Sequence, residues 1–275
     1  MIQLIVSDLD GTLLADHRNI HPDNIMAIQE AQAKGVKFAV ASGRTAASCS
    51  RLLERHGLDA YIIAVNGCQT VDHAFGNPIE THYLDKRVAA ETMAIFKEHG
   101  LDAFLYTEDA IVYTSEEMRA HYEHNPRTLT LAGDKAVAEA VQSTPMKTSC
   151  CFRLGQEAAF EAARAACAGI PGVELTSSWV DNFEVMPAGV SKGVAVKALA
   201  ERLGIPQRAV LAFGDNDNDI SMLTWAGIGL AMGNAQPPVK QAADGVVSAH
   251  DKGGVAQGIR RYVGGAGVVS GDNLP

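Results

Sequence analysis

The stretch Ile5-Val6-Ser7-Asp8-Leu9-Asp10-Gly11-Thr12-Leu13-Leu14 decides how this chain is read. An apolar run ends in two carboxylates two residues apart, followed at once by glycine and threonine. Side chains alternate along a strand, so Asp8 and Asp10 leave its end on the same side. Two carboxylates that close repel each other, and a hard divalent cation next to a phosphate relieves the repulsion. Gly11 permits a sharp turn, and Thr12 is expected to satisfy backbone groups of the loop. In this geometry Asp8 is the candidate to attack phosphorus and form an aspartyl-phosphate. Asp10 is the candidate to protonate the leaving oxygen and then to deprotonate the attacking water. A plain Asx-type turn after a strand is the structural alternative.

Outward from this run, strands and helices alternate. Residues 2–7 read as a buried strand, 23–34 as a helix stopped by Gly35, 36–41 as a strand, 45–56 as a helix and 61–65 as a third strand before the turn Asn66-Gly67. Such alternation predicts a parallel sheet with right-handed crossovers. From about residue 84 the texture changes to helices laid on an antiparallel sheet, with strands at 104–107, 110–113, 146–154 and 183–186. The α/β texture returns with a helix over 191–203, strands at 209–213 and 228–232, and a glycine-rich tail from Gly264. The expected architecture is α/β: a Rossmann-like core from residues 1–83 and 186–275, with an inserted α+β segment over 84–185.

Three further pieces fall at predicted strand or helix ends, where open α/β sheets build their sites. Ser42-Gly43-Arg44 follows the second strand; a hydroxyl and free N–H groups at a helix start suit a phosphate oxygen, although Ser42 as an ordinary helix cap is the simpler reading of the tripeptide alone. Lys192 opens a helix, against the helix dipole, and so calls for an anion such as phosphate or the Asp8 carboxylate. Gly214-Asp215-Asn216-Asp217-Asn218-Asp219 follows an apolar strand. Asp215 is expected to complete a Mg²⁺ site with Asp8, Asn218 to bond phosphate or place Lys192, and Asp219 to anchor the residues around the metal. The glycine and terminal glutamate of an EF-hand loop are missing from this run.

Composition bounds the rest. The net charge is −9, from 32 acidic and 23 basic residues, and no basic-aromatic patch occurs, which argues against nucleic-acid and anionic-membrane partners. No window approaches the roughly 18 uninterrupted apolar residues of a membrane span, and the start MIQLIVSDLDG turns acidic too soon for a signal peptide. Cys49, Cys68, Cys150, Cys151 and Cys167 are odd in number and form no CxxC, so a cytoplasmic protein with small buried thiols is expected.

Taken together and in this order, the four pieces resemble the haloacid dehalogenase-type phosphohydrolases. The likeness also covers Asn66-Gly67 and Ala231-Met232-Gly233-Asn234-Ala235, and the insertion resembles the α+β cap of the Cof-type branch. It implies Mg²⁺ held by Asp8, Asp215 and the backbone oxygen of Asp10, with phosphate contacts from Leu9, Ser42, Gly43, Lys192 and Asn218. Segment 103–113 and the run 214–235 are similar to the pyridoxal-phosphate phosphatases of that branch, so pyridoxal phosphate and sugar phosphates are the favoured substrates. Tyr106, Tyr113, Arg153, Trp179, Asn182 and Glu184 are the candidate cap contacts to a small phosphorylated metabolite. A monomer or weak homodimer is expected. The competing readings are a sugar-phosphate mutase and a phospho-acceptor switch; the second acid Asp10 and the long insertion speak against the switch.

Overall fold

Leu4–Ser7 (β1) is buried along its whole length and lies in the middle of an eight-stranded sheet. The computed structural model describes residues 1–16, 18–72, 78–122, 128–178 and 181–263. After β1 the strands are Lys37–Ala41 (β2), Tyr61–Ala64 (β3), Gln69–Val71 (β4), Pro78–Thr81 (β5), Asp102–Thr107 (β6), Ala110–Tyr113 (β7), Leu129–Ala132 (β8), Pro145–Cys151 (β9), Val173–Thr176 (β10), Asn182–Pro187 (β11), Val210–Gly214 (β12), Ile228–Ala231 (β13) and Gly245–Val246 (β14). The helices are Pro22–Ala33 (α1), Ala46–Arg55 (α2), Lys86–Glu98 (α3), Glu116–Tyr122 (α4), Asp134–Val141 (α5), Glu157–Ala168 (α6), Lys192–Arg202 (α7), Ile220–Trp225 (α8), Pro237–Ala242 (α9) and Gly254–Val263 (α10).

The first sheet has the order β14-β13-β12-β1-β2-β3-β4-β5. Its strands from β14 to β3 are parallel, as the strand–helix alternation predicts. β4 and β5 extend it antiparallel, two strands beyond those expected from the sequence. Their residues, QTV and PIET, are short and polar and carry no alternation to find them by. Apolar layers cover both faces. Ile5, Phe38, Ile62 and Phe213 pack with Ile28, Leu52 and Ile259, whereas Leu4, Val6, Ala39 and Ala212 pack with Val196, Leu199 and Met222. The parallel strands therefore read as continuous apolar runs, because water reaches neither face.

The second sheet, built from the middle of the chain, has the order β10-β11-β9-β6-β7-β8. It is antiparallel except for β7 and β8, which run parallel, so the expectation of a wholly antiparallel sheet is corrected at that edge. One face packs under helices: Leu105, Cys150, Phe183 and Val185 meet Phe96 and Phe160, with Phe183 edge-on to both rings at 5.5 and 5.1 Å. The alternate residues point the other way. Phe104, Tyr106 and Met186 join the apolar cluster that includes Val65 and Cys68 of the first sheet, and Met146 joins them where the register between β6 and β9 shifts. The five cysteines are free and buried, as expected of structural thiols. Among the described residues, no helix is long and apolar enough to cross a membrane. The tail from Gly264 and the candidate Trp179 lie outside the described residues.

Candidate active site

At the end of β1 the chain turns sharply through Leu9–Leu13, closed by Leu13 N–H on Asp8 O at 3.2 Å and Leu14 N–H on Leu9 O at 2.9 Å. Gly11 sits at φ +79°, and a Cβ there would strike the Asp215 carboxylate, so both conformation and space demand glycine. The turn is pinned from the far end of the chain. Asn234 Nδ2 donates to Gly11 O at 2.9 Å, and His250 Nδ1, facing a carbonyl that can only accept, donates to Leu14 O at 2.8 Å. His250 N–H in turn donates to Asn234 Oδ1 at 3.0 Å.

The turn, the start of α7 and the loop after β12 converge on one buried lysine. Lys192 Nζ donates to Asp8 Oδ1 at 2.6 Å and to Asp219 Oδ1 at 2.7 Å. Burial works to lower the Lys192 pKa, but Asp219 and Asp8 outweigh it, and the ammonium is held above its ordinary range. This corrects one expectation: Asp219, not Asn218, places Lys192. The other oxygen of Asp219 accepts from the N–H groups of Asp215 at 2.9 Å and Asn216 at 3.0 Å. Thr12 also differs from the reading, since its hydroxyl donates to Asp215 Oδ1 at 2.6 Å rather than to the backbone.

Carboxylate oxygens of Asp8, Asp215 and Asp219 lie within 4.8 Å of one another. Both oxygens of Asp219 are spoken for, which leaves Asp8 and Asp215 as the pair able to take a cation. Burial pushes the Asp8 carboxyl well above the usual carboxylate range despite Lys192, with Asp219, Asp215 and Asp10 adding to the rise. Burial and the Asp219 charge push Asp215 up to about 6. An all-oxygen donor set that resists ionising alone fits Mg²⁺, a hard cation whose charge favours the carboxylates.

Asp10 lies beside this cluster with its side chain gripped by Arg44. Nε donates to Oδ2 at 2.7 Å, and Nη2 donates to Oδ1. Burial acts to lower the Arg44 pKa, but the hydrogen bonds and charge of Asp10 raise it. Ser42-Gly43-Arg44 is a loop and not a helix start: α2 begins at Ala46, capped by the Thr45 hydroxyl on Ser48 N–H, while Ser42 Oγ accepts from Arg44 N–H at 3.2 Å. The reading of Ser42 as a helix cap is therefore corrected. Ser42, Asn66, Asp8, Asp215 and Asn234 all follow the C-terminal ends of parallel strands, the side on which open α/β sheets place their sites.

The family model of the haloacid dehalogenase-like hydrolases matches residues 5–259. The chain belongs to that family. It is 31% identical over 264 residues to the 5-amino-6-(5-phospho-D-ribitylamino)uracil phosphatase YcsE of Bacillus subtilis, covering 95% of this chain and 96% of that protein. It is 29% identical over 277 residues to the pyridoxal phosphate phosphatase YbhA of Escherichia coli, covering 95% and 98%. A solved haloacid dehalogenase-like hydrolase from B. subtilis superposes with a TM-score of 0.84 at 27% identity, covering 95% of this chain and all of that one. The enzyme class is that of a phosphomonoester hydrolase.

In this hydrolase the second sheet turns one face to the site. Of the expected contacts on it, Glu184 and Asn182 are buried there. Glu184 accepts from Asn66 and Ser178 of the surrounding loops, and Asn182 Oδ1 accepts from Ser178 N–H at 3.1 Å. Tyr106 is buried under Lys147, whose Nζ lies 4.2 Å above the ring. Tyr113 is packed against Phe104 at 5.7 Å. Arg153 is not brought to the site: it lies at the surface, paired with Asp102 at 2.8 Å and Glu117 at 3.6 Å. Asn218 Nδ2 donates to Asn66 Oδ1 at 3.1 Å and to Ser178 Oγ at 3.3 Å. Sequence reasoning missed Arg44 as the partner of Asp10, and it missed Lys147. A lysine inside the stretch PMKTSCC, which otherwise holds no charged residue, was the available signal for the second.

Proposed function

We propose that this hydrolase cleaves small phosphomonoesters with Mg²⁺ through an aspartyl-phosphate on Asp8, with residues 84–185 acting as a cap. The observation that carries the reading is Lys192 buried between Asp8 and Asp219, with Asp215 beside them. Asp8, Asp215 and the backbone oxygen of Asp10 are the residues that would hold Mg²⁺. Once bound, the ion supplies charge neutralisation, which lets an anionic nucleophile approach an anionic ester.

The chain's own groups do the rest. Asp8 attacks phosphorus in line, and the P–O bond to the leaving group breaks. Lys192, Ser42 and the N–H groups of Leu9 and Gly43 spread the charge on the phosphoryl oxygens, and Asn218 joins them by turning to phosphate the amide hydrogen that Ser178 Oγ otherwise accepts. Asp10, with one oxygen freed from the Arg44 fork and protonated from solvent, gives that proton to the leaving oxygen. It then takes a proton from the water that attacks the phosphoryl group, which releases phosphate and restores Asp8.

The face of the second sheet over the site carries Glu184, Asn182 and Lys147, all buried, and sugar phosphates and pyridoxal phosphate stay the favoured substrates. The relatives named for pyridoxal phosphate and for a phosphoribityl compound keep both classes in view. The test is phosphate release by purified protein with Mg²⁺ against a panel of hexose phosphates, pyridoxal 5′-phosphate, nucleotides and FMN. The reading expects release from at least one ester, lost in Asp8→Ala. Release unaffected by Asp8→Ala, or none from any ester, would contradict it.

A further inference from the structure

The mechanism leaves one buried ion pair unused. Lys147 on β9 and Glu184 on β11 are 0% and 2% exposed, and Lys147 Nζ donates to Glu184 Oε1 at 2.6 Å. Burying such a pair gains little stability, because desolvation offsets the attraction. What else the pair holds is more telling. Lys147 Nζ also lies 3.4 Å from Gly43 O. Glu184 Oε2 accepts from Ser178 Oγ at 3.1 Å and from the Asn66 side-chain amide. Asn66 Oδ1 then accepts one amide hydrogen of Asn218 Nδ2 at 3.1 Å, and Ser178 Oγ accepts the other at 3.3 Å.

Asn66 stands on a turn that few residues adopt, with φ +49° at Val65 and +55° at Asn66. A β-branched residue in the left-handed region is strained and persists only where its surroundings over-determine it. Main-chain bonds staple this turn to the loop after β2: Val65 N–H donates to Arg44 O and Asn66 N–H to Ser42 O, both at 2.9 Å. The space is tight as well. A Cβ on Gly43 would lie 3.0 Å from Ser178 Oγ and 3.3 Å from Asn66 Oδ1.

We propose that Glu184 is a positioning residue of the phosphate site. Reaching from the second sheet, it fixes Asn66 and through Asn66 sets Asn218, so that docking of that sheet places the amide hydrogen of Asn218 now on Ser178 Oγ to turn to phosphate. Lys147 holds the Glu184 carboxylate in place for this task. The inference rests on the phosphatase reading above and deepens it. Because the phosphoryl group is common to all substrates, the contribution of Glu184 is independent of the leaving group.

The test compares Lys147→Met/Glu184→Leu with Lys147→Met/Glu184→Gln. Both double variants remove both charges, so neither strands a lone ion in the interior. Gln keeps a carbonyl that accepts from Asn66, and Leu does not. The probes are an aryl phosphate, a hexose phosphate and orthovanadate, an inhibitor with no leaving group. The Leu variant should lose kcat/KM on both esters by the same factor, on the order of 10-fold, as outer residues that orient a site usually do. Vanadate inhibition should weaken in parallel, and the Gln variant should recover most of both. A loss confined to one ester with vanadate unaffected overturns the proposal, and so does equal behaviour of Leu and Gln. The side-chain amide NMR signals of Asn66 and Asn218 give a readout without turnover. Both should move in the Leu variant, and a shift at Asn66 that leaves Asn218 in place also overturns the relay. If the wild type releases phosphate from no ester, the phosphatase reading falls, and the relay is still judged on these two signals.

Discussion

Arg44 grips Asp10 with two nitrogens, Nε on Oδ2 at 2.7 Å and Nη2 on Oδ1. The two residues belong to different strand ends, yet this fork fixes the second carboxylate of the pair proposed for catalysis relative to the loop that carries Ser42 and Gly43. A planar guanidinium matches both carboxylate oxygens at once, which an ammonium does not.

Arg44→Lys should therefore fail to substitute. We expect kcat to fall on the order of 10-fold while inhibition by orthophosphate changes little, because the fork orients the acid–base group and not the bound phosphate. Steady-state kinetics with phosphate as product inhibitor checks this. An unchanged kcat with weakened phosphate inhibition would make Arg44 a phosphate ligand instead.

Lys192 neutralises two buried carboxylates, Asp8 and Asp219. Lys192→Met leaves them facing each other without a counter-charge. Breaking a buried pair this way costs about 3–5 kcal/mol of stability, and loss of a preorganised donor lowers turnover by about 100-fold or more. Thermal unfolding without metal and initial rates with saturating Mg²⁺ separate the two effects. A variant that melts with the wild type would contradict the assignment of Lys192 as the counter-charge of this cluster.

The acidic cluster gives metal binding a pH dependence with a definite sign. Asp8 is held above the ordinary carboxylate range and Asp215 at about 6, both chiefly by burial. Raised values mean that the folded protein binds more protons than the unfolded chain. The associated stability is present below about pH 4 and is lost as pH rises through about 6. Mg²⁺ favours the ionised carboxylates and offsets that loss above it. The rise in Tm on adding Mg²⁺ should thus be small near about pH 5 and larger near about pH 7.5. Scanning calorimetry at the two pH values checks it, and a Mg²⁺ effect that does not change with pH would contradict the cluster as the metal site.

Much of this was legible in the sequence because it is local. The two aspartates after β1, the lysine that opens α7 and the acidic run after β12 each declare themselves within a few residues of an apolar strand or a helix start. The α/β core followed from strand–helix alternation for the same reason. What was not legible depends on elements meeting through space. The partner of Asp10 is Arg44, 34 residues away, and the residue that holds Lys192 is Asp219, with Asn218 turned instead to Asn66. Neighbouring polar residues on one short turn point in different directions, and spacing alone does not say which faces the lysine. Strand alternation could place Lys147 and Glu184 on one face of the second sheet, but not reveal that the core loops cover that face. The polar strands β4 and β5 lack any apolar period, and only their pairing to β3 defines them.

The central claim is that Asp8 carries the phosphoryl group. The most direct measurement is an acid quench during turnover of a radiolabelled phosphomonoester with Mg²⁺, followed by location of the label by peptide mapping. An acid-stable, hydroxylamine-labile label on Asp8, absent from Asp8→Asn, is the expected result. Turnover with no protein-bound label, together with a fully active Asp8→Asn variant from which deamidation has been excluded, would contradict it.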